Sequence, residues 1–114
     1  MLALSGYQLW YYQKPIDFRC QIDGLMMLVD EMDKNPCEGV YIFRNKKSDK
    51  VKLLIWDRNG FWMMYKRMEK GRICFPDINN GLLSLTATQL QWMLSGIDIK
   101  KTKEPPVVKA RKYA

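Results

Sequence analysis

Basic and aromatic side chains alternate through the middle of the chain, where they offer the chemistry of nucleic-acid contact. Residues 44–72 hold ten lysines or arginines and three acids, in a chain of 114 residues with a net charge of +7. Lysine and arginine neutralise phosphates, and rings such as Phe61, Trp62 and Tyr65 can stack on bases. A two-stranded β-ribbon also fits the major groove of DNA. The candidate DNA-binding residues are Arg44, Lys46, Lys47, Lys52, Arg58, Lys66, Arg67, Lys70 and Arg72.

A purely structural explanation of the same stretch stands beside this one. The aromatic side chains can belong to the core, and lysines on an edge strand keep that strand from pairing with other chains. Within residues 66–72, Glu69 between bases indicates a local ion pair, which is worth little at a surface. Gly71 between Lys70 and Arg72 would instead allow an anion-binding turn. The sequence leaves these interpretations open.

The chain contains no histidine, which excludes several kinds of active site. Ser-His triads, histidine-metal centres and histidine-dependent nucleases all need that residue. Carboxylates alone can hold two metals for DNA strand transfer, but such sites usually need a larger scaffold. A site made of Asp57 with Asp17 or Asp23 would require distant segments to converge. We therefore expect no enzymatic activity, no bound metal and no cofactor.

Three widely spaced cysteines, Cys20, Cys37 and Cys74, match neither a disulfide framework nor a paired set of zinc ligands. We expect them to be reduced thiols. The chain lacks an apolar run of about 18 residues, so we expect no contact with the membrane interior. Its start does not resemble a secretory leader. These features together predict a cytoplasmic protein.

Charge varies along the chain in a way that separates a domain from a tail. Residues 1–38 carry three bases and six acids, whereas residues 99–114 carry six bases and one acid. Pro105 and Pro106 lie within that last stretch. We predict a single domain over residues 1–98 and a basic, disordered tail over residues 99–114. The tail is either a solubilising segment or an arm that adds salt-dependent affinity.

Aliphatic, aromatic and turn residues predict an α+β fold in which two helices pack against an antiparallel β-meander. Asp17 is a suitable N-cap for a first helix that runs to about Lys34. Asn59-Gly60 can take the positive φ angles of a tight hairpin turn. Short turns make the three middle strands antiparallel neighbours. The predicted strands are Leu9–Tyr12, Val40–Phe43, Val51–Trp56 and Phe61–Met68.

The segment after the meander predicts short extended pieces and a second helix. Thr86 with Gln89 three residues later forms a capping-box pattern, and Gly96 is a suitable helix stop. Asn79–Gly81 predicts a turn. Both helices are expected to bury their apolar stripes against one face of the sheet. The predicted extended pieces are Ile73–Pro76 and Leu82–Leu85.

Three motifs occur together in the order and spacing of a known family. They are Asp17–Arg19 with Asp23–Leu25; Lys52–Asp57 with Gly60–Trp62 and Tyr65–Arg72; and Leu85-Thr86 with Gln89-Leu90 and Gly96–Asp98. Over about residues 7–98 the chain resembles the TnpB-type (Orf2-like) accessory proteins of the bacterial insertion-sequence sixty-six group. It departs from their pattern at Cys20 and Gln21, where a basic residue and glycine are usual, and at Arg58 and Asn59, where glycine and a small polar residue are usual.

The resemblance implies a non-catalytic accessory role in the DNA transposition of an insertion sequence, beside a separate transposase. Its implied partners are DNA at the ends of the element, the transposase and other element-encoded proteins. Three hypotheses follow: DNA binding through the basic meander, protein–protein adaptor function without specific DNA contact, and a carboxylate-only nuclease. A contiguous positive surface would favour DNA binding. An exposed apolar patch containing Trp62 or Trp92 would favour the adaptor function, and acids clustered in a cleft would favour the nuclease.

Overall fold

The computed structural model describes residue 4, residues 6–76, residues 81–97 and residue 99. These residues form a single domain with a five-stranded mixed sheet and two helices, which confirms the predicted α+β class. In chain order the elements are β1 (Leu9–Tyr12), α1 (Ile22–Glu31), β2 (Val40–Arg44), β3 (Lys50–Asp57), β4 (Gly60–Arg67), β5 (Leu82–Leu85) and α2 (Ala87–Leu94).

The sheet has the strand order β4-β3-β2-β1-β5. Strands β2, β3 and β4 form the predicted antiparallel meander, in which Val40 pairs with Ile55 and Leu53 with Met64. Strand β1 lies parallel to β2, because α1 provides the crossover that parallel neighbours require. Strand β5 is antiparallel to β1 and extends the sheet on that side.

The two helices cover opposite faces of the sheet, so the expectation that they share one face is wrong. Leu25 and Val29 of α1 join one apolar cluster with Tyr41 and Phe43, whereas Leu90 of α2 belongs to the other cluster. Every residue of β2 is buried. Strands buried on both faces read as continuous apolar runs, and the run Val40–Phe43 is the sequence signal for this arrangement.

Helix α1 begins at Ile22, five residues after the predicted N-cap Asp17. Residues 17–20 form a turn in which the Cys20 N–H donates to the Asp17 carbonyl over 3.0 Å. The carbonyls of Phe18 and Cys20 both accept from the Lys52 ammonium, at 2.8 and 2.5 Å. A side chain from β3 therefore takes two backbone acceptors that an earlier helix start would have used, and the predicted cap is wrong for this tertiary reason.

Helix α2 has the predicted caps at both ends. The Gln89 N–H donates to the Thr86 hydroxyl over 3.0 Å, and the Thr86 N–H donates to the Gln89 side chain over 2.9 Å. At the other end Gly96 has φ +82°. The Ile97 N–H donates to the Trp92 carbonyl and the Gly96 N–H to the Met93 carbonyl. This pair of bonds is the Schellman motif, which glycine favours.

Two predicted features lie outside the described residues: the basic tail and most of the Asn79–Gly81 turn. The predicted Leu82–Leu85 strand is present as β5. Residues 73–76 run beside the sheet without forming a strand; the Ile73 N–H donates to the Ser48 carbonyl and the Cys74 N–H to the Met93 carbonyl. In the part of the chain that is described, neither helix has the length and apolarity needed to cross a membrane.

Candidate nucleic-acid interface

The fold brings most of the predicted basic residues to one end of the sheet. Strands β2 and β4 end there and β3 begins there, because both neighbours of β3 are antiparallel to it. The Met68 N–H donates to the Asp49 carbonyl over 2.7 Å, which holds the segment after β4 beside the β2–β3 turn. We call this surface the basic end; the predicted residues that are exposed there are Lys46, Lys47, Lys66, Arg67, Lys70 and Arg72.

Two further lysines, which are not among the predicted DNA-binding residues, lie at the basic end. Lys50 is partly buried and pairs with Arg67 across the β3–β4 ladder. Lys14 is exposed just beyond β1, where the Ile16 N–H donates to the Arg44 carbonyl over 2.9 Å. The position of Lys50 directly before the predicted strand Val51–Trp56 was a usable signal. No sequence signal marked Lys14, because Lys14 comes to lie near the end of β2 only through the parallel pairing of β1 with β2.

Lys52 is a candidate that the fold withdraws from the surface, since its residue is only 1% exposed. In addition to its two carbonyl acceptors, the ammonium lies 4.9 Å from the Phe18 ring and 5.7 Å from the Tyr65 ring. Burial lowers the Lys52 pKa, and the nearby Cys20 and Asp17 oppose that shift. Lys52 therefore fastens the turn before α1 to the sheet and is not positioned to meet a phosphate of bound DNA.

Arg44 is the second buried candidate, at 5% exposure. Its Nε donates to the Tyr11 hydroxyl over 2.8 Å. One terminal nitrogen donates to the Asn45 carbonyl and to Ser48 Oγ, at 3.3 and 3.1 Å. The guanidinium also lies 5.5 Å from the Phe75 ring. Arg44 thus lies below the exposed cations of the basic end.

Arg58 lies at the opposite end of the sheet, in the β3–β4 turn. The eight residues of β3 separate it from the basic end, a distance of about 23 Å at roughly 3.3 Å per step. Arg58 has φ +51°, so the positive angle expected at Asn59-Gly60 falls one residue earlier. Its guanidinium lies 3.7 Å from the Asp57 carboxylate. Arg58 therefore does not contribute to the basic end.

The end of the sheet that carries Arg58 is predominantly acidic. Helix α1 ends there because it crosses back from the end of β1 to the start of β2. We call this surface the acidic end; it has the bases Lys34 and Arg58, and its acids are Asp30, Glu31, Asp33, Glu38 and Asp57. The molecule is therefore polarised along its strands, with opposite charges at the two ends of one sheet.

The segment 66–72 contains the ion pair that one interpretation predicted. The Arg67 guanidinium donates to the Glu69 carboxylate over 2.7 Å, and both side chains are largely exposed. Gly71 has φ +73° and open space around it, as an anion-binding turn would need. Among the residues described, no carboxylate forms an ion pair with Lys70 or Arg72. The anion-binding turn remains a prediction.

Exposed aromatic residues occupy β4, which lies at one edge of the sheet. Trp62 is 62% exposed, and its indole donates to the Asp57 carboxylate over 3.1 Å. Tyr65 is 50% exposed and packs edge-on against Phe18, with ring centroids 5.6 Å apart. Phe61 is partly buried against Trp56. Of the two tryptophans named for the adaptor hypothesis, Trp62 is exposed and Trp92 is partly buried.

The acids proposed for a carboxylate-only metal site do not come together. Asp57 ends β3, whereas Asp17 lies near Lys52 at the beginning of that strand. Asp17 instead forms an exposed bidentate pair with Arg19, with bonds of 3.0 and 3.1 Å to Arg19 Nε. This pair lowers the Asp17 pKa to about 2. Over residues 6–76 and 81–97 no cluster of three potential metal-binding side chains occurs.

The fold and the charge distribution define a small mixed-sheet α+β domain with one cationic end. The chain belongs to the family of IS66 Orf2-like proteins, and the match to this family covers residues 7–104. This confirms the resemblance seen in the three sequence motifs. Family membership associates the protein with insertion-sequence transposition in an accessory role.

Similar proteins in Sinorhizobium fredii share nearly the whole chain. The uncharacterized protein y4jC is 29% identical over 96% of this chain and 95% of its own length. The uncharacterized protein y4hO is 30% identical over 88% of this chain and 89% of its own length. No solved structure matches the chain.

Proposed function

We propose that the protein is a non-catalytic accessory factor that binds DNA at insertion-sequence ends through its basic end, beside a separate transposase in the cytoplasm. The observation that carries this proposal is the gathering of exposed cations from the β2–β3 turn and the end of β4. Within the described ranges, Lys46, Lys47, Lys66, Lys70 and Arg72 form no close ion pair with a carboxylate. Unpaired surface cations are the groups that displace counterions from DNA.

The geometry favours binding to the phosphate backbone, which positions a protein without reading sequence. If each of these five cations neutralises one phosphate, the logarithm of the binding constant should fall against the logarithm of salt concentration with a slope of about −4 to −5. A preference for element ends would then come from the shape of that DNA or from base contacts by neighbouring residues such as Tyr65.

Fluorescence anisotropy of labelled duplexes tests this proposal. One duplex carries the end of the element and the other carries the same bases in scrambled order, each measured across a salt series. We expect steep salt dependence and at least about a tenfold preference for the end sequence. Absence of binding at micromolar protein in about 100 mM salt would reject the DNA-binding role.

A matched pair of single variants locates the contact. Lys66→Ala removes one positive charge at the basic end, and Arg58→Asn removes one at the opposite end. Asparagine tolerates the positive φ angle at residue 58. We expect Lys66→Ala to weaken binding several-fold and to reduce the salt slope by about 1, with Arg58→Asn close to the unchanged protein. Equal losses in both variants would show that net charge, not the basic end, governs binding.

Trp62 supports a second function, that of an adaptor docking on the transposase without specific DNA contact. The residue is 62% exposed and lies on an edge strand that no described segment covers on its outer side. Exposed tryptophans are frequent anchors in protein interfaces. Met27, 63% exposed on α1, provides a control site on another element.

The adaptor function is tested by binding to the purified transposase of the same element in the absence of DNA. We expect Trp62→Ala to weaken the complex at least about tenfold, as is typical of interface hot spots, and Met27→Ala to leave it unchanged. If the wild-type protein binds the transposase only when DNA is added, the adaptor alternative fails and DNA binding is retained.

A further inference from the structure

An open groove lies at the basic end, between the β2–β3 turn and the segment that follows β4. Its volume is about 460 Å³, which is within the usual size of small-ligand sites. The hydrogen bond from Ile73 N–H to the Ser48 carbonyl, 2.8 Å long, joins its two sides. The groove residues used below are Arg44, Lys46, Lys47, Arg72 and Phe75.

Arg44 places a largely dehydrated positive charge in this groove. Its described partners are the neutral oxygens of Tyr11, Asn45 and Ser48. Burial raises the pKa of Tyr11, and Arg44 only partly opposes that shift, so the phenol supplies no negative charge near neutral pH. No described carboxylate forms an ion pair with Arg44. A buried charge that has hydrogen bonds but no counter-charge attracts an anion more strongly than a surface charge does.

Phe75 fixes the position of the guanidinium. Its ring stacks on Tyr11 with centroids 5.3 Å apart and planes inclined by 15°. The same ring lies 5.5 Å from the centre of the Arg44 guanidinium. Apolar ring atoms on this side exclude water and strengthen the attraction between Arg44 and an entering anion. Nε and one terminal nitrogen already donate to Tyr11, Asn45 and Ser48, so the other terminal nitrogen is the group that can donate to an entering phosphate.

The groove has exposed cations around a recessed one. Lys46, Lys47 and Arg72 are exposed, whereas Arg44 is 5% exposed. Phosphates within a duplex follow a continuous backbone, which suits the exposed cations of the rim. A phosphate at a strand end protrudes, and near pH 7 it carries most of a second negative charge. Shape and charge therefore favour a terminal phosphate over an internal one at Arg44.

We infer that this groove binds a terminal phosphate of a DNA strand, with Arg44 as its recessed contact and Lys46, Lys47 and Arg72 around it. This inference rests on the proposed DNA-binding function and adds a preference for strand ends. Free nucleotides and inorganic phosphate carry the same phosphate chemistry, so they serve as separate probes of the groove.

The test compares two short duplexes of identical sequence that end in a 5′-phosphate or a 5′-hydroxyl, together with a second pair that differs at the 3′ end. We expect a terminal phosphate at one of these ends to strengthen binding about tenfold, or about 1.4 kcal/mol. Arg44→Met should abolish this difference, whereas Lys66→Ala, outside the groove, should weaken both duplexes equally. Circular dichroism verifies that Arg44→Met is folded.

The double variant Lys47→Ala with Arg72→Ala changes exposed side chains alone, and it decides the matter if Arg44→Met does not fold. Loss of the phosphate preference in this variant supports the groove. Equal affinity of the wild-type protein for phosphate and hydroxyl ends overturns the inference and leaves the DNA-binding proposal intact.

If neither duplex binds, the DNA-binding proposal fails, and titration with a deoxynucleoside 5′-monophosphate tests the groove by itself. Amide chemical shifts that move together at residues 44–48 and 72–75 would support phosphate binding there. Shifts scattered over the surface, or none, would overturn it.

Discussion

The two ends of the sheet are formed by the same strands and carry opposite charge. The basic end consists of the β2–β3 turn and the segment after β4, whose lysines and arginines extend away from the core. The acidic end includes the last turn of α1, where Asp30 and Glu31 stand. Acids at a helix C-terminus oppose the helix dipole. The acids of the acidic end therefore do not stabilise helix α1. The effect of the opposite charges at the two ends on DNA binding is tested by removing charge at each end separately.

Matched charge removal at the two ends gives the largest expected effect. At the basic end Lys66, Arg67, Lys70 and Arg72 are changed to alanine. At the acidic end the variant combines Asp30→Asn, Glu31→Gln, Asp33→Asn and Glu38→Gln. We expect the first variant to lose about a thousandfold in DNA affinity near 100 mM salt and the second to change it by less than about threefold. Anisotropy with one duplex measures both. Similar losses in the two variants would contradict a localised interface.

Lys52 contributes to the stability of the fold and not to the exposed cations of the basic end. Lys52→Met keeps the buried volume but leaves the carbonyls of Phe18 and Cys20 without their donor. We expect the free energy of unfolding to fall by about 2–4 kcal/mol, as unsatisfied buried groups cost. Lys50 lies two residues earlier on the same strand and on the same face. Lys50→Ala should lower the free energy of unfolding by less than about 1 kcal/mol. Urea unfolding measures both changes. A Lys52→Met protein as stable as wild type would show that the ammonium does not hold the turn.

Helix α1 connects the two ends, and its termini should respond in opposite directions to the same substitution. Asp23 lies in the first turn, where an acid is favourable, and Glu31 lies in the last turn, where it is not. Both side chains are exposed. We expect Glu31→Lys to raise the free energy of unfolding by about 0.3–1 kcal/mol and Asp23→Lys to lower it by a similar amount. Chemical denaturation at low ionic strength is the measurement. Changes of the same sign would contradict the dipole explanation.

The Asp17–Arg19 pair gives the smallest expected effect, because both side chains are exposed. Its hydrogen bonds lower the Asp17 pKa from 3.8 to about 2. The resulting stabilisation is fully present at pH values above the Asp17 pKa of the unfolded chain. It is lost as the pH falls through the folded-state pKa of about 2. Wild type should therefore have a slightly higher urea midpoint than Asp17→Asn at pH 7, and the difference should shrink from about pH 4 downward. A difference that does not change with pH would exclude the carboxylate as its cause.

The sequence alone determined the features that depend on neighbouring residues. The capping box of Thr86 and Gln89 and the stop at Gly96 act within one helical turn, so their chemistry is visible in the sequence. The three middle strands follow from short turns that leave the chain no route except back along the previous strand. The abundance of lysine and arginine in residues 44–72 likewise identified the region of the candidate interface before its geometry was known.

The tertiary structure alone decided where those charges stand. Lys52 and Arg44 look like surface cations in the sequence, yet their partners lie 34 and 33 residues away in the chain. Arg58 is separated from the other candidates because β3 carries it to the opposite end of the sheet. The start of α1 and the placement of the helices on opposite faces depend on the same long-range contacts. Local propensity sets which elements form, but pairing between distant segments sets which side chains are buried, which are exposed and which meet at one surface.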